Sequence, residues 1–480
     1  MRTMIAFGLC LCLAAPTLVA AQTPTPIAEA GVARIVMRDA YAVGEVPDLR
    51  VEGLTPGESV GFHLFRQMTR WVSDGAGGWK PEPTLMHGWA LYTADASGMV
   101  SAATAIPSEG TSLAVGPRTL FWSARRSDDP LIADQSFAGE SLTLDNDRTL
   151  AFRVSRGSQI IAEKTFGIDR TRASMTRLDV VTPGLVGAFA APEGADRLPT
   201  VILLHGSEGG SLAKARSEAQ RYAEAGFAAF AMVYFAWPYE ADGLAVPASH
   251  HNIPIEELDR ARAWLAERAE ADVGRIGLVG NSKGGEFAMV GAATYPWVRA
   301  AVGCVPSDVV WEGYEDVFSN TEPGARPPLG EFSSWSWQGR PLPYIPTYGD
   351  KRDGFLDNTD RYDRARAQFS NEARAARIPI ERTTADLFLI GGDRDRTWSS
   401  GPMVSSLANA MDAAGRGDQV ETFISPTGGH YLCGDGLYPH RLWQVDDPSV
   451  FAPNLDDQGR AEAAAWEAKI AFLNRTLAAR

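Results

Sequence analysis

The stretch Leu278-Val279-Gly280-Asn281-Ser282-Lys283-Gly284-Gly285 decides the fold. Residues 276–279 make a short apolar strand pattern and 287–293 an apolar helical one, so a Gly-x-Ser-x-Gly turn joins strand to helix. Such a turn holds its serine in a strained backbone conformation, and small residues must flank it. Gly280 and Gly284 meet that need and leave Ser282 as the exposed tip. A helix starting at Lys283 points its first unpaired N–H groups back at the serine, where negative charge on an attacked carbonyl oxygen would meet donors already in place. Gly-x-Ser-x-Gly alone is only moderately specific, and its neighbours have to supply the rest.

Upstream, residues 200–204 (Thr-Val-Ile-Leu-Leu) form a continuous apolar run, as a strand buried on both faces requires, and stop at His205-Gly206-Ser207-Glu208-Gly209-Gly210. An amphipathic segment at 213–225, a buried strand at 227–234 and a helix at 256–271 lead into the elbow. This alternation predicts an α/β domain over residues 173–480, a mostly parallel sheet with helices on both faces. The glycine loop lacks both the lysine of a phosphate loop and the spacing of a dinucleotide loop. It suits the second half of an oxyanion hole, with the backbone N–H of Ser207, or of Glu208, paired with that of Lys283.

Downstream, the strand pattern 386–390 ends in Gly391-Gly392-Asp393-Arg394-Asp395. Two acids compete there: Asp395, three residues past Gly392, is preferred, with Asp393 in reserve. A further strand at 420–424 leads through Gly428-Gly429 to His430, which gives serine, acid and histidine in the order of a nucleophilic triad. Of the seven histidines, His250 and His251 precede the serine and suit a pocket lining better than a base, while His440 reads as a surface residue. The insert 310–354 is rich in proline and aromatics, including Trp311, Trp335 and Trp337, and is too long for a simple connector. It is expected as a lid or pocket wall over Ser282, with His205 and Glu208 also candidates for the pocket. The segment 460–477 reads as an amphipathic helix.

The first 21 residues carry a charged start, a short apolar run and small residues before Gln22, the pattern of a signal peptide for export to the periplasm or outside. That apolar run is too short to span a bilayer, and no later one is long enough. Residues 22–31 read as a flexible leader. Residues 32–172 show short apolar alternations, among them 49–51, 60–65, 89–92, 120–124, 150–154 and 160–166, separated by Gly and Asp turns. That pattern predicts an immunoglobulin-like β-sandwich. His63 and His87 have no partners at ligand spacing and read as ordinary strand or loop residues; no cluster has metal-ligand spacing, so neither metal nor cofactor is expected. Net charge −14 disfavours a nucleic-acid partner. Past the signal segment only Cys304 and Cys433 remain, and two unpaired thiols are expected, with Cys304 a small core residue; one bridge between them in an oxidising compartment is the alternative.

The chain resembles a known family, the acyl-CoA thioesterases and bile acid-CoA:amino acid N-acyltransferases. The residues that carry the likeness are Gly280-Asn-Ser-Lys-Gly-Gly-Glu286, Pro306-Ser-Asp-Val-Val-Trp311-Glu-Gly313, Ser334-Trp-Ser-Trp-Gln-Gly-Arg-Pro-Leu-Pro343, Asp395-Arg-Thr-Trp398 and Gly429-His430. The resemblance implies an α/β-hydrolase behind a β-sandwich, with Ser282, Asp395 and His430 cleaving an acyl thioester through an acyl-enzyme. Serine as nucleophile points to hydrolysis, since the similar amino-acid transferase uses cysteine. An export signal sits apart from cytoplasmic coenzyme A chemistry, so a carboxylesterase acting on an external oxygen ester is the alternative. Acyl transfer to an amine and a non-catalytic surface binding protein are further alternatives.

Overall fold

In the computed structural model, which describes residues 31–42, 45–73, 79–144, 148–168, 174–238, 241–313, 332–347, 358–440, 442 and 454–478, the first described region is β structure. The long hairpin β1 (Ser59–Ser73) and β2 (Trp79–Thr93) pairs antiparallel throughout its length. Together with β3 (Thr149–Arg156) and β4 (Gln159–Ile168) it forms most of a seven-stranded sheet. A three-stranded sheet of Arg34–Ile35, Arg50–Glu52 and Val100–Ser101 is the second layer. Val51 and Val100 of the small sheet share one core with Phe62, Tyr92 and Phe152 of the large one. The expected strand at 120–124 is instead a short helix, Thr119–Trp122. Leu120, Phe121 and Trp122 are all buried, and a short run buried throughout suits a helix as well as a strand, so periodicity does not separate the two. The expected signal peptide and nearly all of the leader lie outside the described residues, as do 314–331 and 348–354 of the insert.

The second region is one eight-stranded sheet. Its strands are β5 (Met175–Thr182), β6 (Leu185–Pro192), β7 (Leu198–Leu204), β8 (Ala228–Met232), β9 (Ala271–Asn281), β10 (Val298–Cys304), β11 (Asp386–Gly392) and β12 (Val420–Ser425). They lie in the order β5-β6-β8-β7-β9-β10-β11-β12; β5 and β6 are antiparallel to their neighbours and the rest run parallel. Helices packed on the sheet include α1 (Leu212–Glu224), α2 (Glu257–Leu265), α3 (Lys283–Thr294), α4 (Ser400–Ala413) and α5 (Leu455–Thr476). Ile202, Leu204 and Leu278 pack with Leu258, Phe287 and Leu407 of α2, α3 and α4. Val201, Leu203 and Val279 face the other way, toward α1 and α5, where Ala219, Trp466 and Leu473 meet them. Alternate residues of each strand thus enter different cores, which is why the runs are apolar without a gap. This is an α/β-hydrolase sheet.

The two regions touch around the segment that follows His430. Leu437 joins the β-region core, and Leu442 packs with Met68 and Met86. Arg66 Nη1 donates to Leu437 O at 3.1 Å, and Trp122 Nε1 donates to Asp456 Oδ1 at 3.0 Å. His440, expected at the surface, is fully buried and meets Glu462 Oε2 at 2.8 Å. Packing of 431–440 between α5 and the β region closes it off, a relation between segments that no local pattern announces.

Candidate active site

Strand β9 delivers Ser282 at the C-terminal edge of the sheet with φ 54° and ψ −116°, a conformation that costs energy for any residue but glycine and recurs at functional turns. The flanking glycines are sterically required. A Cβ on Gly280 would lie 1.8 Å from Gly284 O, and one on Gly284 would lie 2.2 Å from Leu204 O and 2.4 Å from His205 O. The Ser282 N–H donates to Cys304 O at 2.9 Å, fixing the elbow to the end of β10. The first intrahelical bond of α3 runs from the Glu286 N–H to Ser282 O at 3.0 Å, so the N–H of Lys283 lies ahead of the helix's own ladder.

His430 follows β12 and lies between the serine and an acid. Its Nε2 is 2.9 Å from Ser282 Oγ, and its Nδ1 is 2.8 Å from Asp395 Oδ2. An ionised carboxylate only accepts, so Nδ1–H is the donor to Asp395 and Nε2 is left to accept from the serine hydroxyl. Asp395 is buried, and its Oδ1 accepts the N–H groups of Thr397 (2.9 Å) and Trp398 (3.3 Å), which aims Oδ2 at the histidine. Asp393 is exposed and makes no such contact with His430. The Trp398 ring stands edge-on to His430 at 5.8 Å, and its Nε1 donates to Val305 O at 3.0 Å. Val305 has φ 44°, a strained value for a β-branched residue and a second outlier beside the serine.

The loop at 205–210 borders the same place, since a Cβ on Gly206 would be 3.3 Å from Ser282 Cβ. Exposed Glu208 turns its Oε1 back to accept the Gly206 N–H at 3.0 Å. His205 stacks on Tyr234 at 4.0 Å and donates from Nδ1 to Gly206 O at 2.9 Å; burial pushes its pKa down to about 3, so it stays neutral. Ser207 O accepts the Trp237 Nε1–H at 3.2 Å.

Beneath the serine the sequence hid a charged pair. Lys283 Nζ lies 2.9 Å from both carboxylate oxygens of Glu286, with both side chains buried. Burial pushes the lysine down and the glutamate up, and their attraction opposes both shifts. Glu286 Oε1 also accepts Trp335 Nε1–H at 2.8 Å and the Trp311 N–H at 3.3 Å, so the described part of the insert is pinned to α3. Trp335 stacks on Phe287 at 4.3 Å and meets buried His250 edge-to-face at 4.7 Å. His251 stacks on Phe332. Trp337 stands apart, 43% exposed. The signal that could have found Glu286 is its spacing: an acid three residues after a lysine in the first turn of an otherwise apolar helix asks for a buried partner.

Cys304 and Cys433, expected as free thiols, form a disulfide with a Cα–Cα distance of 6.0 Å. Cys304 ends β10 beside the elbow and Cys433 lies three residues past His430, so the turn that brings the histidine to the serine brings the cysteines together as well. Among the described residues no group of three or more His, Cys, Asp or Glu is placed to hold a metal ion, and no helix is long and apolar enough to cross a membrane.

An elbow serine with a histidine and a carboxylate at the C-terminal edge of this sheet defines an enzyme of the α/β-hydrolase class. Residues 253–479 match the family model described as BAAT / Acyl-CoA thioester hydrolase C terminal, and residues 185–312 match that of the Dienelactone hydrolase family. Acyl-coenzyme A thioesterase 2, mitochondrial, of Rattus norvegicus is 26% identical over 411 residues, covering 82% of this chain and 80% of that protein. Acyl-coenzyme A thioesterase 1 of the same organism is likewise 26% identical over 411 residues, 82% of this chain and 87% of the relative. A hyperthermophilic esterase from the archaeon Pyrobaculum calidifontis is 17% identical, with a TM-score of 0.37 over 63% of this chain and 87% of its own. These relatives support a hydrolase enzyme, and those similar to the chain over most of its length are acyl-CoA thioesterases.

Proposed function

We propose that the protein is an exported serine hydrolase that cleaves an acyl thioester through a Ser282 acyl-enzyme. The observation that carries the reading is the unbroken relay from Ser282 Oγ to His430 Nε2 (2.9 Å) and from His430 Nδ1 to Asp395 Oδ2 (2.8 Å). His430 takes the Ser282 proton as Oγ bonds to the acyl carbon, and Asp395 stabilises the resulting imidazolium. The N–H groups of Lys283 and Ser207 receive the oxyanion. As it collapses the carbon–sulfur bond breaks and His430 returns the proton to the leaving thiolate. Water then gives a proton to His430, attacks the acyl-serine and frees the carboxylic acid and Ser282.

Export is read from residues 1–21, and the Cys304–Cys433 disulfide favours an oxidising compartment, periplasmic or secreted. The same disulfide supports a second reading, an external oxygen ester as substrate, because coenzyme A thioesters are made inside cells. Residues 32–172 are proposed as an immunoglobulin-like domain, its two sheets packed over a shared core, and 173–480 as the catalytic domain. The test is hydrolysis of matched pairs, an acyl-CoA thioester and an oxygen ester of the same acyl group, with Ser282→Ala as control. Faster thioester cleavage supports the first reading and faster ester cleavage the second; undiminished hydrolysis by the Ser282→Ala protein would sink both.

A further inference from the structure

The loop that carries His430 has no helix or strand from 426 to 440 and includes Gly428, Gly429, Gly434 and Gly436. Such a segment has much conformational freedom to lose, yet a catalytic base must be held to within about 0.5 Å. Its tethers are therefore informative. Ahead of the histidine, buried Gln458 Oε1 accepts the Gly429 N–H at 2.7 Å. Behind it, Lys469 Nζ donates to Cys433 O at 3.0 Å, and the Cys433 sulfur is bonded to Cys304. Cys304 in turn accepts the Ser282 N–H on its own carbonyl at 2.9 Å. One cross-link thus joins the residue that holds the serine's backbone to the loop that presents the histidine.

We propose that the Cys304–Cys433 disulfide is a positioning element for hydrolysis, holding His430 in register with Ser282, so that the enzyme reaches full turnover only after the two thiols are oxidised. The proposal rests on Ser282 and His430 being the reacting pair. Oxidation removes two protons and two electrons from the thiols; a small disulfide oxidant, such as oxidised glutathione, accepts them and leaves as two thiols. Cys304 is buried but Cys433 is partly exposed, so thiol–disulfide exchange can begin at Cys433. A chain held in a reducing compartment would be a weak hydrolase and would gain activity on reaching an oxidising one.

The test compares the oxidised protein, the same protein reduced with tris(2-carboxyethyl)phosphine, and the Cys304→Ala/Cys433→Ala variant, each with a p-nitrophenyl ester. Turnover is expressed per site titrated with a fluorophosphonate. Misplacing a reacting group by about 1 Å costs up to about 100-fold, so kcat per labelled site is expected to fall about 10- to 100-fold in the reduced and double-variant proteins, with KM changed less than about twofold. Oxidised glutathione restores the reduced protein, and reductant has no effect on the double variant. A disulfide that only stabilised the fold would lower the number of labelled sites and leave kcat per site alone. Unchanged kcat per site in the reduced protein, or a change confined to KM, overturns the proposal; if the double variant does not fold, the reduced protein decides. Ser282→Ala is run alongside, and activity surviving there refutes the choice of nucleophile, a separate failure.

Discussion

Replacing Glu286 by Gln removes the negative charge held within hydrogen-bond reach of Lys283, while keeping the size of the side chain. Both groups are buried, at 0% and 2% exposure, so the ammonium cannot turn to water for compensation. Breaking one side of a buried pair costs roughly 3–5 kcal/mol. The glutamine oxygen can still accept from Trp335 Nε1, which keeps that hydrogen bond out of the loss. Against a net stability of about 5–15 kcal/mol for a folded domain, this is a large fraction, and it falls in the first turn after the nucleophile. The measurement is urea denaturation followed by tryptophan fluorescence, with the rate of fluorophosphonate labelling of Ser282 as a local readout. The double change Lys283→Met/Glu286→Gln removes both charges, leaves an oxygen for the Trp335 Nε1–H and the Trp311 N–H, and is expected to recover most of the loss. A Glu286→Gln protein within about 0.5 kcal/mol of the parent, the range of an ordinary surface change, would refute the claim that this pair is a committed buried charge. A double variant as unstable as the single one would show that packing, and not the stranded ammonium, sets the cost.

Asp395→Asn is expected to lower kcat about 10⁴-fold, since the amide disfavours the tautomer that His430 needs, whereas Asp393→Asn should stay within about twofold; steady-state kinetics on both variants checks it. In the β region His63 Nδ1 meets His87 Nε2 at 3.1 Å, and its Nε2 meets Ser155 Oγ at 3.0 Å. Burial, and after it Arg153, lowers His63 to about 4, and burial holds His87 well below its usual value. The unfolded chain therefore binds more protons than the native one below about pH 6.5, and stability must fall as pH drops from there toward 4, by about 3 kcal/mol for His63 alone. Denaturation curves at pH 7.5 and 4.5 should show the loss, and His63→Asn should flatten it. Leu437→Ala, at a buried position where the His430 loop enters the β-region core, is expected to cost about 2–5 kcal/mol. A melting temperature unchanged by that substitution would contradict the packing between the two regions.

Residues 276–285 were legible because an elbow is a local object: two glycines, a serine, and a switch from strand to helix periodicity within ten positions. The parallel strands were legible for a related reason, since burial on both faces leaves unbroken apolar runs such as Thr200-Val-Ile-Leu-Leu204. His430 and the Asp393/Asp395 pair could be found from chain order, because each follows a strand that ends at the same edge of the sheet. Sequence order left two acids to choose between, and only the tertiary structure turns Asp395 to the histidine while leaving Asp393 exposed. It alone joined Cys304 to Cys433, 129 residues apart, buried His440 against Glu462, folded 119–122 into a helix, and drew Trp311 and Trp335 onto Glu286. The physical reason is the range of the interactions. Backbone sterics and side-chain periodicity act over a few residues and are written along the chain, whereas the partner of a buried charge, thiol or imidazole is whatever group the packed sheet and helices bring to its side.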